Sequence, residues 1–545
     1  MKKFLPILTA AVLSMTVLAS CDDLLYSDTD RQIADEEYGL QTPGDSIFSM
    51  FGLFTQLQKV ADSYVLLGEL RGDLLDITDL SDRSLREIND FNVTADNQYV
   101  DIRNYYAIIN NCNYILTHLD TTLIDKGQKL QRGQYAAVKA IRAWTYMQMA
   151  LNFKTVKYYD EPILTVADAT KTFEELELEA LAARLIPELE SLQEVQLPSL
   201  GYIESYNTLY SFFPVKVVLG DLYLWTGQYE KAATAYRGAM FDRRLIINKE
   251  YYSHWIPVNN TISADAELDW QQVFTFSSNE IVTTIMCPTD YGQDYYLDTI
   301  NNMGWIKPSA IALDNWDRQT YYLNEASNAQ GDLRKYGSIS YSEETDFEAT
   351  TDYSFSGPTS NRQLIYKYKL YDQNVIIYRS SLLYLRYAEA VNRLGKPNLA
   401  FAVLKYGLNG TNLFNSTIVP AKERESPAPA YMQFGDVRFQ NNAGIRMRGL
   451  GNAQNDTTFF KLPTQPTQLD SIRYVENLIQ EELALETAFE GNRFHDLMRL
   501  TLRRMNDAGY NDDESYLADK VAAKHDGDAA IRAKLLNRDN WFIQP

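Results

Sequence analysis

The sequence is poor in the residues that metal sites and nucleophilic catalysts use most. Its 545 residues include three cysteines and four histidines. The histidines stand far apart, and none belongs to an H-E-x-x-H motif. No G-x-S-x-G nucleophile motif and no phosphate-binding glycine loop is present. We therefore predict no catalytic residue, no metal ion and no cofactor, and we expect a binding protein rather than an enzyme.

The chain is also short of positive charge and of long hydrophobic runs. Lysine and arginine number 51 against 72 aspartates and glutamates, which gives a net charge of −21. Nucleic acid and anionic lipid surfaces are therefore poor partners, because both are themselves negative. After the first 20 residues no run is long and apolar enough to span a bilayer. With 45% hydrophobic and 23% charged residues, the chain is typical of globular proteins.

The first residues form an export signal. Lys2 and Lys3 precede a short apolar stretch, and the small residues Ala19 and Ser20 stand directly before Cys21. This pattern resembles a bacterial lipoprotein signal, in which the cysteine is lipidated and becomes the mature N-terminus. We predict a signal peptide at residues 1–20, lipidation of Cys21 and a tether over residues 21–44, with an ordinary secretory peptide as the alternative.

Helical periodicity dominates the remaining chain, which we treat as one domain over residues 45–545. Two passages predict helical hairpins: residues 212–225 end at Gly227 before a helix from Tyr229, and residues 382–394 end at Gly395 before Pro397. Their spacing resembles tetratricopeptide hairpins. The predicted fold class is mainly α, with tetratricopeptide-like hairpins, a loop-rich middle region and a few short strands. Further helices are expected at residues 47–65, 104–119, 135–153 (buried on all sides) and 173–186, the last ended or kinked by Pro187.

The middle of the chain has a different pattern. Residues 273–276 and 281–286 predict a β-hairpin, and residues 365–370 alternate tyrosine with lysine as a strand does. Residues 288–304, 338–362 and 409–467 are irregular by composition. The remaining cysteines, Cys112 and Cys287, are compatible with a disulfide or with two buried thiols.

Near the C-terminus, Glu482, Glu486 and Glu490 recur every four residues, a like-charge column that needs facing cations. We expect Arg493, Arg499 and Arg503 to provide them. The passage from Glu481 to Arg499, with the sequence E-E-L-A-L-E-T-A-F-E-G-N-R-F-H-D-L-M-R, resembles the C-terminal signature of the SusD/RagB outer-membrane lipoproteins. Residues 68–73, 140–143, 160–163, 384–390 and 540–545 look like further landmarks of that family, in the same order.

The resemblance implies a mainly helical fold and a role as a cell-surface lid. Members of this family cap a SusC-like, TonB-dependent outer-membrane transporter and bind nutrients, most often glycans and in some members peptides. The chain is therefore expected in the outer membrane of a Bacteroidetes cell, held by its lipid anchor and facing the exterior, an address that Asp22 and Asp23 also favour. Its expected ligand is an oligosaccharide; a peptide ligand and a surface glycan hydrolase are the alternatives.

Binding of sugars requires flat apolar rings beside polar side chains, because sugar rings present both C–H faces and hydroxyl groups. The loop-rich region around residues 250–370 has both in one stretch. A second, shorter stretch places Tyr99 after three polar residues. The predicted ligand contacts are Tyr99, Tyr291, Asp294, Tyr295, Tyr296, Asn301 and Trp305.

Overall fold

The computed structural model describes most of the chain after residue 42. The described residues are 43–125, 128–203, 206–248, 270, 272–274, 278–287, 296–324, 327–342, 362–370, 374–449, 453–507 and 512–544. Cys21 and the predicted signal peptide lie outside these ranges. The predicted tether does too, except for its last two residues, which already belong to the helix that begins at Pro43.

Helices make up most of the described structure, which confirms the mainly α fold class. In chain order they are α1 Pro43–Gln58, α2 Ala61–Glu69, α3 Arg83–Asn89, α4 Ile102–His118, α5 Arg132–Phe153, α6 Val166–Ala169, α7 Leu178–Glu190, α8 Val215–Trp225, α9 Tyr229–Arg243, α10 Tyr296–Asn302, α11 Ala310–Asp317, α12 Arg334–Ser338, α13 Tyr366–Leu370, α14 Ser380–Arg393, α15 Pro397–Lys405, α16 Gly410–Phe414, α17 Gln468–Glu486, α18 Arg493–Asn506, α19 Ser515–Lys524 and α20 Ala529–Leu535.

Strands occur only as two-stranded antiparallel ladders within the described ranges. Five ladders join strands near in sequence, and two, β1 with β9 and β8 with β14, join distant parts of the chain. The strands are β1 Leu75–Ile77, β2 Ile124–Asp125, β3 Gln128–Lys129, β4 Val156–Tyr158, β5 Glu174–Leu176, β6 Tyr202–Ile203, β7 Tyr206–Asn207, β8 Ile281–Ile285, β9 Ile306–Pro308, β10 Thr320–Asn324, β11 Ser327–Gln330, β12 Ile339–Ser342, β13 Arg362–Ile365 and β14 Val375–Arg379.

Both predicted helical hairpins are present. Helices α8 and α9 pack together across Gly227, and α14 and α15 pack together across Gly395; both glycines have positive φ. The tight contact between α8 and α9 depends on Gly220, where a Cβ atom would lie 2.6 Å from the Tyr236 ring. Helix α5 is buried along almost its whole length, and its Arg142 has the partner that its burial requires: Nη2 lies 2.6 Å from Glu188 and Nη1 donates to Asn113.

Three expectations about local structure are wrong. Strand β8 pairs with β14, almost a hundred residues later, and residues 273–274 of the expected hairpin form a turn; residues 275 and 276 lie outside the described ranges. Every residue of both strands is buried, so neither sequence alternates between apolar and polar residues in a way that would indicate its partner. Residues 366–370 form α13 rather than a strand, and residues 296–302 of the expected loop form α10.

Pro187 does not end α7, which continues through it to Glu190. The helix also begins later than expected: residues 174–176 form β5, and α7 begins at Leu178. A proline three residues before a helix end removes one main-chain hydrogen bond from the last turn, where the helix has few residues left to lose. Apart from the five-residue helix α16, the described residues between 409 and 467 are irregular, as predicted, with short 3₁₀ turns at Ala421–Glu423, Ala430–Met432, Val437–Phe439, Ile445–Arg448 and Ala453–Asn455.

The glutamate column is paired, but the predicted cations are not its partners. Arg493 binds Asp73, Arg499 binds Glu389 and Asp496, and Arg503 donates to the carbonyl of Trp225. The column instead lies in a fully buried ion cluster whose cations come from the middle of the chain and from residues 445–448. Its five carboxylates are Glu280, Asp332, Glu482, Glu486 and Glu490, and its five cations are Arg334, Lys367, Arg379, Arg446 and Arg448.

A single buried carboxylate organises the turn after α17. Glu69, the last residue of α2, accepts main-chain N–H groups from Phe489 (3.1 Å), Gly491 (2.8 Å), Asn492 (3.0 Å) and Arg493 (3.4 Å). Burial raises the pKa of Glu69 to about 8, although these four donors oppose that shift. The turn between α17 and α18 is thereby fixed to the end of α2.

Cys112 and Cys287 are both buried free thiols, which settles the alternative left open by the sequence. Within the described ranges, none of the helices has the length and hydrophobicity needed to cross a bilayer.

Candidate functional site

The two stretches predicted to bind ligand, residues 96–99 and the segment that ends at Trp305, meet at one surface. Strands β1 and β9 pair antiparallel, with Leu75 opposite Pro308 and Ile77 opposite Ile306. The residues after β1 therefore lie beside the residues before β9. Thr78 donates its N–H to the carbonyl of Trp305 (3.2 Å) and its hydroxyl to the carbonyl of Gly304 (2.7 Å), and the Ser81 hydroxyl also donates to Trp305.

The same short loop holds the other stretch. Asp82 caps α3 by accepting the N–H of Leu85 (2.8 Å), and its second oxygen accepts the Gln98 amide (2.5 Å) and the Tyr99 hydroxyl (3.1 Å). Residues 78–82 thus bridge residues 96–99 and residues 303–305. We call these three segments together the loop junction.

Helix α2 supports the loop junction from beneath. At its N-terminal end, Asp62 accepts the N–H of Leu297 (3.2 Å), and the neighbouring Ser63 donates to the carbonyl of Tyr99 (2.5 Å). The two neighbours on α2 therefore each hold one of the two stretches. Fixed loops on a rigid element are what a binding site requires, because less conformational entropy is lost when ligand binds.

The outer surface of the loop junction combines apolar and polar groups. Leu80 is 49% exposed and Met303 is 48% exposed. Gln98, Asp96 and Arg83 are exposed nearby, with Arg83 Nε 2.6 Å from Glu87 and Nη1 3.4 Å from Asp96. This combination suits a ligand with both apolar faces and hydroxyl groups.

The structure places the predicted contacts at different depths. Trp305 is half-buried and packs against the core with one side. Tyr99 is 7% exposed, and its hydroxyl is occupied by Asp82; burial raises its pKa above the usual range. Asn301 is fully buried, and its amide both accepts the N–H of Ile365 (2.8 Å) and donates to the carbonyl of Ile365 (3.0 Å). Tyr99 and Asn301 therefore support the loops from within, and Trp305 is nearer the surface.

Tyr296 begins α10, and its side chain is outside the described part of the structure, as are Tyr291, Asp294 and Tyr295 altogether. Two exposed residues of the loop junction, Leu80 and Met303, were missed by the sequence analysis. Leu80 stands alone in an acidic, polar segment, and Met303 follows two asparagines, so neither belongs to a periodic pattern. In the described ranges no group of three His, Cys, Asp or Glu side chains is arranged to hold a metal ion.

The sequence is similar to that of a SusD-like protein, although no family model matches the chain. SusD-like protein P2 of Formosa agariphila is 25% identical over 473 residues, which cover 79% of this chain and 78% of that protein.

Solved structures of other proteins have a fold similar to that of this chain. A SusD superfamily protein from Bacteroides vulgatus aligns over 93% of this chain and 96% of its own, with a TM-score of 0.58 and 16% identity. NanU of B. fragilis aligns over 87% and 92%, with a TM-score of 0.56 and 16% identity. A SusD-like carbohydrate binding protein from B. vulgatus aligns over 85% and 84%, with a TM-score of 0.54 and 16% identity.

The structure is a set of helical hairpins that carry an exposed loop surface. The chain is similar in sequence to a SusD-like protein and similar in fold to SusD superfamily structures, which supports the resemblance noted in the sequence.

Proposed function

We propose that this chain is a cell-surface lipoprotein that binds an oligosaccharide at the loop junction and delivers it to a SusC-like, TonB-dependent transporter in the outer membrane. One observation carries the proposal: two stretches selected from the sequence for their sugar-binding composition converge on one exposed surface through residues 78–82. One of the structural neighbours is described as carbohydrate binding, which supports the same ligand class.

In this proposal the exposed faces of Leu80, Met303 and Trp305 contact the C–H surface of a sugar, and Gln98 hydrogen-bonds its hydroxyl groups. Tyr291, Asp294, Tyr295 and Tyr296 remain predicted contacts on the adjoining segment. Asn301 and Tyr99 hold the loops in place. The ligand is bound and passed on without any bond being broken.

Calorimetric titration of protein lacking residues 1–21 against oligosaccharide and peptide panels tests the proposal. We expect heat with at least one oligosaccharide, and a loss of about tenfold or more in affinity for Trp305→Ala and for Gln98→Ala. Tyr202→Ala is the matched control, since Tyr202 is 68% exposed on the separate ladder of β6 and β7 and its loss should leave binding unchanged. Heat with peptides alone would replace the oligosaccharide by the second candidate, and product release during incubation would favour a hydrolase.

The anchor is tested separately through Cys21. The small residues Ala19 and Ser20 directly before Cys21 support lipidation, and an anchor of more than one acyl chain holds a protein stably at a membrane. We expect Cys21→Ala to release the protein from the outer membrane while its thermal unfolding stays that of the wild type. Unchanged surface labelling of that variant would contradict the anchor.

A further inference from the structure

We propose that the loop junction selects uncharged oligosaccharides and discriminates against those that carry carboxylate or sulfate groups. This inference rests on the proposed function and specifies its ligand class. It follows from the charges that surround the exposed apolar surface of Leu80 and Met303.

Carboxylates outnumber cations in the two described segments that build the loop junction and its supports. Residues 76–99 and 296–308 contain seven acidic residues and three basic ones. The acidic residues are Asp76, Asp79, Asp82, Glu87, Asp90, Asp96 and Asp298, and the basic ones are Arg83, Arg86 and Lys307. Two further cations, Lys524 and Lys534, contact residues 75 and 89–92 at the first of these segments.

Each of the three cations already faces protein acceptors. Arg86 donates to three main-chain carbonyls, those of Ser81 (3.2 Å), Thr78 (3.0 Å) and Asp79 (2.8 Å). Arg83 lies between Glu87 and Asp96, at 2.6 and 3.4 Å. Lys307 stands directly opposite Asp76 in the ladder of β1 and β9. An anionic ligand would have to compete with these acceptors for both guanidinium groups, and Lys307 has a carboxylate opposite it in the ladder.

Two exposed charges of the loop junction are negative. The side chain of Asp96 is 73% exposed, and Asp79 is exposed beside Leu80. A hydrogen bond from the Thr94 hydroxyl lowers the pKa of Asp96, so this carboxylate is ionised at neutral pH. Like charges repel a ligand anion, whereas the same carboxylate oxygens accept hydrogen bonds from the hydroxyl groups of a neutral sugar. The net charge of −21 adds a weaker repulsion at long range.

Binding to an array of neutral oligosaccharides and of uronate-containing and sulfated ones, at 50 mM and 500 mM NaCl, tests this inference. We expect the bound set to be neutral, and acidic glycans of similar size to bind at least about tenfold more weakly at 50 mM salt. The ratio of the affinity for neutral glycans to the affinity for acidic ones should shrink at 500 mM salt, because screening weakens repulsion between exposed charges. Asp79→Asn should narrow the ratio by about threefold or more. Glu179→Gln, which removes one exposed charge from α7, should leave it unchanged.

An acidic glycan that binds as tightly as the best neutral one would overturn this inference and leave the proposed function standing. Equal ratios in Asp79→Asn and Glu179→Gln would also overturn it, because the discrimination would then not come from the loop junction. Failure of every glycan to bind would overturn both this inference and the proposed function.

Discussion

Glu486 is the carboxylate on which the buried ion cluster depends most. Its Oε2 lies 2.8 Å from Nη1 of Arg334, and its Oε1 lies 2.8 Å from Nη1 of Arg379 and 3.3 Å from Nε of Arg448. Burial alone would raise the pKa of Glu486, but Arg448, Arg379 and Arg334 hold it below the usual range. The substitution Glu486→Gln would remove the only carboxylate that the described contacts place on all three guanidinium groups.

Breaking a buried charge pair on one side costs about 3–5 kcal/mol, since the remaining charge stays buried without compensation. The entropy of unfolding is about 2.1 cal/mol/K per residue, so for roughly 500 residues this loss lowers Tm by about 3–5 °C. Scanning calorimetry of wild type and Glu486→Gln measures the shift. Because Arg446 and Arg448 fix residues 445–448 to the cluster, hydrogen exchange should also speed up there before the helical hairpins are affected.

Glu481→Gln is the matched control. Glu481 is on the same helix, but it is partly exposed and pairs with Arg318, which is 50% exposed. A surface pair contributes about 0–1 kcal/mol, so this variant should shift Tm by less than about 1 °C. If Glu486→Gln were no less stable than Glu481→Gln, the reasoning about the ion cluster would be refuted.

Two other predictions concern buried titratable groups. Burial raises the pKa of Glu69 to about 8, so between pH 4.5 and about 8 the folded chain holds a proton that the unfolded chain has released. The stability that this proton contributes is therefore complete below pH 4.5 and is lost as the pH rises to about 8. The free energy of unfolding of the wild type should therefore fall by several kcal/mol relative to Glu69→Gln across this window, and a constant difference between the two would contradict the assignment. Burial also raises the pKa of both Cys112 and Cys287 to about 12. Neither thiol should therefore react with iodoacetamide at pH 8 until denaturant is added. Rapid labelling of the native chain would contradict this prediction, because it would show that a thiol is accessible.

The sequence predicts helices well where one face or all faces are apolar over several turns. Helices α4 and α5 and both hairpins follow the predicted bounds closely, because periodicity and terminal glycines are local signals. The partners of buried groups are not local. Strand β8 pairs with β14 and Glu486 binds Arg334, each across a long stretch of chain, and no pattern in one segment specifies the other.

The candidate site shows the same division. Composition selected the two stretches that meet, since aromatic and amide side chains cluster in both. It did not show that Asn301 faces inward, because an amide that satisfies the main chain of Ile365 and one that awaits a sugar have the same sequence signal. Leu80 could be assigned to the site only from the structure, because the pairing of β1 and β9 brings residues 78–81 against residues 304–305.

The two-stranded ladders have a consequence for how such a protein diversifies. Five of the described ladders each join strands that are near in sequence, and within the described ranges no ladder shares a strand with another. An insertion or a new sequence in one loop therefore disturbs the hydrogen bonds of that ladder alone. A continuous sheet would transmit a register shift to every neighbour. Such independence is consistent with chains that retain the fold at a TM-score of 0.58 while sharing 16% of their residues, and it makes the loops separable parts for grafting new specificities onto an unchanged helical frame.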